Sequence, residues 1–344
     1  MKRKIFFLGD FVSGDGPANA NSAFLSDLSR EEASRSVCRR PLFRVLECVA
    51  KIPFASAICL CNATRLNFLA IRVAGLFGKK VFYLMHGCGS HEYELNAERP
   101  DRSALDALIR YERRIFSNAH KVFCVSERFT HFMRAREPVF ADKFDCCFNG
   151  VDVESIRALA PARSGARPVG RIISAGGVLP QKNNLQVCEA IRLLNQKHGM
   201  ALEYHILGES GEGREDTGFD AYDFVKFHGT VPRAAALRLM AASRIFVLNS
   251  RFESFSLVAV EALLCGCDAL LSDRAGVLDL LSAAEESDVI ADGEDAAEIA
   301  AKIKYIYDHP NGERLLGGLD DAALDARKAS RRLYGKIRSC LTSG

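Results

Sequence analysis

The chain has 344 residues, 48% of them hydrophobic and 26% charged, with 46 Lys and Arg against 43 Asp and Glu. That length exceeds one compact α/β unit and suits two, and the composition is that of an ordinary globular protein with ample core. No stretch approaches the roughly 18 apolar residues that span a bilayer, and no repeat or low-complexity tract is present, so transmembrane, fibrous and disordered classes are excluded.

The apolar run in "MKRKIFFLGD" stops at Asp10, too soon for a secretory signal, so it reads as a first strand. The expected compartment is the cytoplasm. The 12 cysteines fit a reducing environment, because none forms a CxxC pair with a second pair downstream. Neither a zinc site nor a cysteine nucleophile is expected. Charge is uneven: residues 1–150 carry 23 Lys and Arg against 16 Asp and Glu, and the remainder carries 23 against 27. Arg30, Arg35, Arg39, Arg40, Arg44 and Lys51 crowd one stretch. They form either a solvated helical face or a patch that meets an anionic membrane surface or a phosphorylated substrate. Nucleic acid is disfavoured, since no aromatic residues interleave with the basic ones.

In chain order, "KIFFLG", "SAICLC", "KVFYLMH", "KVFCVS" and "DKFDCCFN" read as strands of the first half. "RIISAG", "LEYHILG", "FVKFHG", "RIFVLN" and "DALLSD" read as strands of the second. Amphipathic stretches at 101–118, 183–198 and 232–243 predict helices between them. This alternation predicts two doubly wound parallel sheets buried on both faces. The divisions expected are a first domain over 1–157, a Pro/Gly-rich linker over 158–169, a second domain over 170–319, and a charged helix over 320–344. Ligands of such sheets sit beyond the carboxyl ends of the strands, so a cleft where the two domains face each other is the natural site.

Four constellations follow strands. In "RFESFSLVAVEALLCGC", Glu261 lies inside a nearly all-apolar helix expected to be capped by Ser256 and ended by Gly266. A buried carboxylate needs a partner, either a cation such as Arg251 or Arg274 or a ligand's hydroxyl pair. Glu253 sits just after a strand, before a helix N-terminus suited to oxygen-rich ligands. In "SAGGVLPQKNNLQ", Gly176 and Gly177 allow close backbone approach, and Lys182 adds a cation just ahead of a helix start. Two positive elements on one spot point to an anion, most simply a diphosphate. In "YLMHGCGSHEYE", His86 follows a strand directly, while a metal set of His86, His91 and Glu94 matches no standard spacing. "SGDGPANANSAFL" is a glycine-rich turn into a helix, but not the GxGxxG of a nicotinamide site, and the acidic "GESGEG" at 208–213 makes a poor phosphate cradle.

Taken together, these motifs resemble the retaining GT-B glycosyltransferases, glycosyltransferase family 4 in particular. "ESFSLVAVEALLCGCDALLSD" is similar to the paired-glutamate signature, with "GGVLPQKN", "HG" at 86–87, "CVSE" at 124–127 after a helix holding Glu112, and "NGVD" at 149–152 in the family's order. The resemblance implies transfer of a sugar from a nucleotide-diphosphate donor, UDP- or GDP-linked, to a hydroxyl acceptor, with no cofactor and no metal. It assigns Glu261 to the ribose hydroxyls, Lys182 with Gly176 and Gly177 to the diphosphate, and Glu253 with the N–H groups of Phe255, Ser256 and Leu257 to the sugar. His86 would reach the donor sugar from the first domain, so Glu253, His86 and Lys182 are the expected catalytic residues. The acceptor would lie near Gly14, Gly16, Asn19 and Asn21, and the final helix would cross back to the first domain. Positioned charge on the leaving diphosphate would supply most of the catalysis. The basic first half favours a lipid-linked or phosphorylated acceptor at the inner membrane face, and the acceptor expected overall is lipid-linked or saccharide, in polysaccharide or glycolipid assembly. The departures are Gly177 where an arginine is common, Ser254 and Ser256 for two glycines, and Asp268 for a proline. They leave a catalytically weakened sugar-nucleotide-binding subunit, or a GT-B epimerase, as alternatives.

Overall fold

All ten of the apolar runs read as strands form strands, each the core of its run, because near-continuous apolar sequence is stable only where both faces of a sheet are covered. The structure, a computed structural model, describes residues 4–11, 16–38, 40–62, 64–159, 170–210 and 217–342. The chain divides into two compact units. One comprises Met1–Glu94, Arg99–Asp152 and Asp321–Gly344, and the other Leu95–Glu98 and Val153–Asp320.

The first unit holds a parallel sheet of β1 (Ile5–Leu8), β2 (Ala33–Arg35), β3 (Ala57–Leu60), β4 (Lys80–Met85), β5 (Lys121–Cys124) and β6 (Phe144–Cys146), in the order β2-β1-β3-β4-β5-β6. Its helices are α1 (Gly16–Ala23), α2 (Pro41–Lys51), α3 (Leu66–Leu76), α4 (Gly89–Asn96, whose last two residues cluster with the second unit), α5 (Arg102–Asn118) and α6 (Glu127–Arg136). Asp101 caps α5 by accepting from the Ser103 N–H at 2.9 Å, and Ser126 of "CVSE" caps α6 by accepting from the Phe129 N–H at 3.0 Å.

The second unit begins with α7 (Val153–Leu159). Its sheet comprises β7 (Arg171–Ala175), β8 (Glu203–Leu207), β9 (Val225–Phe227), β10 (Ile245–Leu248), β11 (Asp268–Ser272) and β12 (Val289–Ile290), in the order β12-β11-β10-β7-β8-β9. Between these run α8 (Asn184–His198), α9 (Arg233–Ala241), α10 (Leu257–Leu264), α11 (Ala296–Asp308) and α12 (Gly312–Gly317). Ile172, Ile191, Tyr204, Val247, Leu270 and Ile303 lie in its core. Each such side chain removed from water contributes about 1.5–3 kcal/mol. The boundary falls at Asp152 rather than at the expected linker, because α7 packs on α9 and α10 of the second unit. Residues 160–169 of that linker lie outside the described residues.

α13 (Asp321–Leu324) and α14 (Ala326–Thr342) belong to the first unit. Leu333 and Ile337 of α14 are fully buried, and Lys336 pairs with Asp145 at 2.7 Å. Gly150 of "NGVD" has a physical reason here. A Cβ on it would lie 2.7 Å from the Ala326 backbone, so only glycine lets α14 approach this closely.

Each strand order sets a switch point where adjacent crossovers diverge and leave a crevice. In the first sheet it lies between β1 and β3, and in the second between β7 and β10. Among the described residues, no helix is long and apolar enough to cross a membrane.

Candidate functional site

The β7–β10 switch point of the second unit brings together the two segments that carry its chemistry. Beyond β7 the chain turns through Gly176 (φ 103°) and Gly177 (φ 60°), then through a single 3-10 turn, Pro180–Lys182, into α8. Beyond β10 it runs through 249–253 to α10. Lys182 Nζ lies 2.6 Å from Glu253 Oε2, with both side chains largely buried. A Cβ on Gly176 would overlap the Lys182 stem, so that glycine is what lets the lysine lie flat across the turn. The segments are stitched together by backbone as well. The Arg251 N–H donates to the Gln181 carbonyl at 2.9 Å, and Gln181 Nε2 donates to the Phe252 carbonyl at 2.8 Å. Asn183, in the left-handed region at φ 52°, donates through Nδ2 to the Gly293 carbonyl at 2.8 Å. Asn249 Nδ2 donates to the same carbonyl, also at 2.8 Å.

Phe255 is fully buried, and its carbonyl accepts from Val277 at 2.7 Å, which fixes the approach to α10. Ser256 differs from expectation. Its side chain makes no capping bond; the residue sits at φ 82°, ψ 79°, a region that favours glycine. This explains why the related motif carries glycine there. Leu257 then starts α10, whose first N–H groups lack intrahelical acceptors. Gly266, at φ 84°, follows the helix end at Cys265, as its sequence position implied.

Glu261 also departs from the reading of its partner. Arg251 instead pairs with Glu294 at 2.7 Å and Arg274 with Asp273 at 3.1 Å. The cation on Glu261 is Arg233 from the first turn of α9, with Nη2 at 2.6 Å and Nε at 2.8 Å from Oε1. Glu261 is not enclosed on every side either: 14% of its side chain stays exposed, on the solvent side of α10. Its sequence puzzle is therefore answered by an ion pair at a helix margin, within reach of solvent.

Gly177, at the position where the resembled motif often has arginine, is packed against the loop beyond β8. A Cβ there would overlap the Glu209 carbonyl oxygen, and the Val178 N–H donates to that oxygen at 3.1 Å. Asp268, in the proline position, is fully buried and accepts from the Gly312 N–H at 2.8 Å at the start of α12. Its role is structural.

In the first unit, His86 follows β4, and its Nε2 lies 2.7 Å from Asn21 Oδ1. Asn21 Nδ2 donates to the Asp10 carbonyl at 2.8 Å and to Asn62 Oδ1 at 3.0 Å, so its Oδ1 is the acceptor and His86 carries the proton on Nε2. Desolvation pushes the His86 pKa down to about 4, so the ring is neutral at physiological pH. Asn21, expected on the acceptor side, is buried and committed to these bonds; it positions His86 and the β1 and β3 loops. Asn19 is exposed on α1, Gly16 opens that helix, and Gly14 lies outside the described residues. His91 and Glu94 face each other at 3.3 Å, and Glu94 also binds Arg136 at 2.7 Å, so neither joins His86 in a ligand set. Glu112, known from sequence only as a landmark, is buried. It accepts from the Ser90 N–H at 3.1 Å and the Ser90 hydroxyl at 2.6 Å, and desolvation raises its pKa.

Two doubly wound parallel units in one chain are the GT-B architecture. Solved structures agree with it. HepE from Anabaena, solved with UDP and glucose, has a TM-score of 0.69 at 16% identity and covers 98% of this chain and 100% of its own. Sucrose-phosphate synthase from Thermosynechococcus elongatus has a TM-score of 0.69 at 17% identity, over 99% and 100%. At such identities the likeness is one of fold. The sequence narrows it further: residues 168–317, in the second unit, match the family model Glycosyl transferases group 1. A curated relative, D-inositol 3-phosphate glycosyltransferase from Thermomonospora curvata, is 31% identical over 132 residues. That match spans 34% of this chain and 30% of the relative, less than a third of the relative's own length.

Proposed function

We propose that this protein is a retaining glycosyltransferase that moves a sugar from a nucleotide-diphosphate donor to a hydroxyl acceptor. The observation that carries the reading is the Lys182–Glu253 pair at the β7–β10 switch point, 2.6 Å apart between a glycine turn and the start of α10. The pair puts one cation and one acceptor at the carboxyl edge of the sheet, where nucleotide ligands of doubly wound folds bind. Lys182 holds the diphosphate; the Gly176 and Gly177 N–H groups, expected to share that task, already donate to the Leu207 carbonyl at 2.8 and 3.0 Å, and the glycines serve to give the lysine its space. The first N–H groups of α10 hold the sugar with Glu253. Glu261 takes the ribose hydroxyls, with Arg233 fixing its rotamer by binding Oε1. His86, neutral and oriented by Asn21, serves as a hydrogen-bonding group to the sugar. Developing charge on the leaving diphosphate meets Lys182 and the helix N-terminus, which stabilise the transition state more than the ground state.

The donor is UDP- or GDP-linked, and the acceptor is a lipid-linked or saccharide hydroxyl in surface polysaccharide or glycolipid assembly. The basic first 150 residues favour cytoplasmic work at an anionic inner membrane face. A thermal-shift panel of UDP, GDP, ADP and their sugars tests the donor, since binding to the native state alone raises the melting temperature. Donor incubated without acceptor should then release nucleoside diphosphate slowly. Conversion to an isomeric sugar would instead mean an epimerase, and binding with neither outcome a non-catalytic subunit. Glu253→Ala should lower turnover by about 10²–10³-fold with the fold intact. Unchanged turnover in that variant would remove Glu253 from the site.

A further inference from the structure

Helix α2 is built inside out. Its ionic residues, Arg44, Glu47 and Lys51, turn toward the unit. Arg44 donates to the carbonyls of Cys38 at 2.8 Å and Gly9 at 3.3 Å. The Glu47 carboxylate, 5% exposed, accepts from the N–H groups of Val37 at 3.1 Å and Cys38 at 3.3 Å. Lys51 joins Glu47 at 2.5 Å to the Arg35 carbonyl at 3.0 Å. The opposite stripe, Leu42, Phe43, Leu46, Val49 and, just beyond the helix, Phe54, faces outward with 50% to 80% of each residue exposed. A surface helix of a soluble domain ordinarily does the reverse. Leu76 and Phe77 at the end of α3 are also exposed, and α3 packs against α2 and the turn that holds Phe54. Exposed apolar side chains gathered on packed neighbouring elements are of a kind that marks an interaction surface.

The surrounding charge says what covers it. From Ala33 to His91 the sequence has nine Lys and Arg and a single carboxylate, Glu47, which α2 turns inward. With Arg44 and Lys51 turned inward alongside Glu47, the exposed cations of this stretch among the described residues are Arg35, Arg40, Arg65 and Arg72. Outward apolar side chains accompanied by exposed cations match a bilayer with anionic headgroups: the apolar groups enter the acyl boundary and the cations meet phosphates. A second copy fits poorly, because self-pairing of this face would oppose like charges.

We propose that α2 is a lipid-inserting element that seats the first unit on an anionic membrane. The proposal rests on the peripheral-membrane reading above and adds the element and the mode, burial of apolar side chains as well as charge attraction.

The chain has no tryptophan, so Leu46→Trp supplies a single reporter on this face, and Tyr305→Trp on α11 supplies the control. With phosphatidylglycerol/phosphatidylcholine vesicles, fluorescence at position 46 should shift to the blue and be quenched by brominated acyl chains, and that at position 305 should not. Leu42→Glu with Leu46→Glu should reduce vesicle partitioning by about tenfold or more per side chain while leaving the melting temperature unchanged. Wild-type protein that ignores these vesicles at low salt would remove both the proposal and the membrane reading beneath it. Vesicle binding with no response at position 46, or undiminished in the double variant, would sink the α2 assignment alone. A blue shift that grows with protein concentration without vesicles would mean a second copy covers the face, and would sink it too.

Discussion

Ser256 is held in a left-handed conformation that costs an L-residue about 1–2 kcal/mol, and its side chain gains no capping bond in return. Ser256→Gly should therefore stabilise the protein by about 0.5–1 kcal/mol, after allowing for the greater chain entropy of glycine in the unfolded state. A higher urea midpoint would show it; a lower one would mean the hydroxyl holds something. His86 gives a second test. Its pKa is pushed from 6.5 down to about 4 by desolvation, so the unfolded chain takes up a proton below about pH 6.5 while the folded ring stays neutral. The contribution is fully present above pH 6.5 and is lost as pH falls toward 4. Urea midpoints at pH 7 and pH 5 should fall further for the wild type than for His86→Gln, and equal falls would contradict the assigned burial. Lys182 and Glu253 were legible in the sequence because each follows a strand end beside residues that free the backbone. Arg233 was not, since its place in an ordinary amphipathic helix 28 residues before Glu261 says nothing of where its guanidinium points. Asn21 and His86, 65 positions apart, were each visible but their bond was not.

The turn after β7 and the loop after β8 are fitted to each other. Val178 donates to the Glu209 carbonyl, and Gly177 leaves that oxygen its space. Gly177→Arg, which would supply the charge common in the resembled motif, should lower stability by about 2 kcal/mol or more and weaken donor binding, since this backbone has no room for a Cβ at φ 60°. A variant with unchanged melting temperature and stronger UDP-sugar binding would show that the loop yields easily. The main strands could be read because three to five successive apolar residues buried on both faces leave an unbroken pattern. Strands β2 and β12, three and two residues long, leave none and form because neighbouring edges accept them. Asp268 looked like a lost proline; its cap on α12 depends on a segment 44 residues later, which no local pattern reports. The inverted face of α2 was hidden for a related reason, because the basic residues that drew attention to this stretch are partly those turned inward.

Each sheet is wholly parallel, so crossovers join its strands, and this much of the architecture was visible in the alternation of strand and helix. The unit boundary at Asp152 was not, because α7 reads as the tail of the first half yet packs on α9 and α10. The first unit is assembled from both ends of the sequence. Val151 donates to the Leu324 carbonyl at 2.7 Å, Lys80 to the Cys340 carbonyl at 2.7 Å, and Arg331 binds Glu32 at 2.8 Å. Removing α13 and α14 would bare the apolar groups and polar atoms they cover, and chains ending at Asp320 should have a protease-sensitive first unit and a protected second one. Equal resistance in both units would refute this.

The same closure reverses the usual order of birth on the ribosome. Synthesis ordinarily lets the earlier-made domain mature first, but here residues 153–320 leave the exit tunnel before the segment that completes their predecessor. The earlier-made half must wait, with its last helical strap unmade, while the later-made half folds, so chaperones have most to guard in the portion translated first.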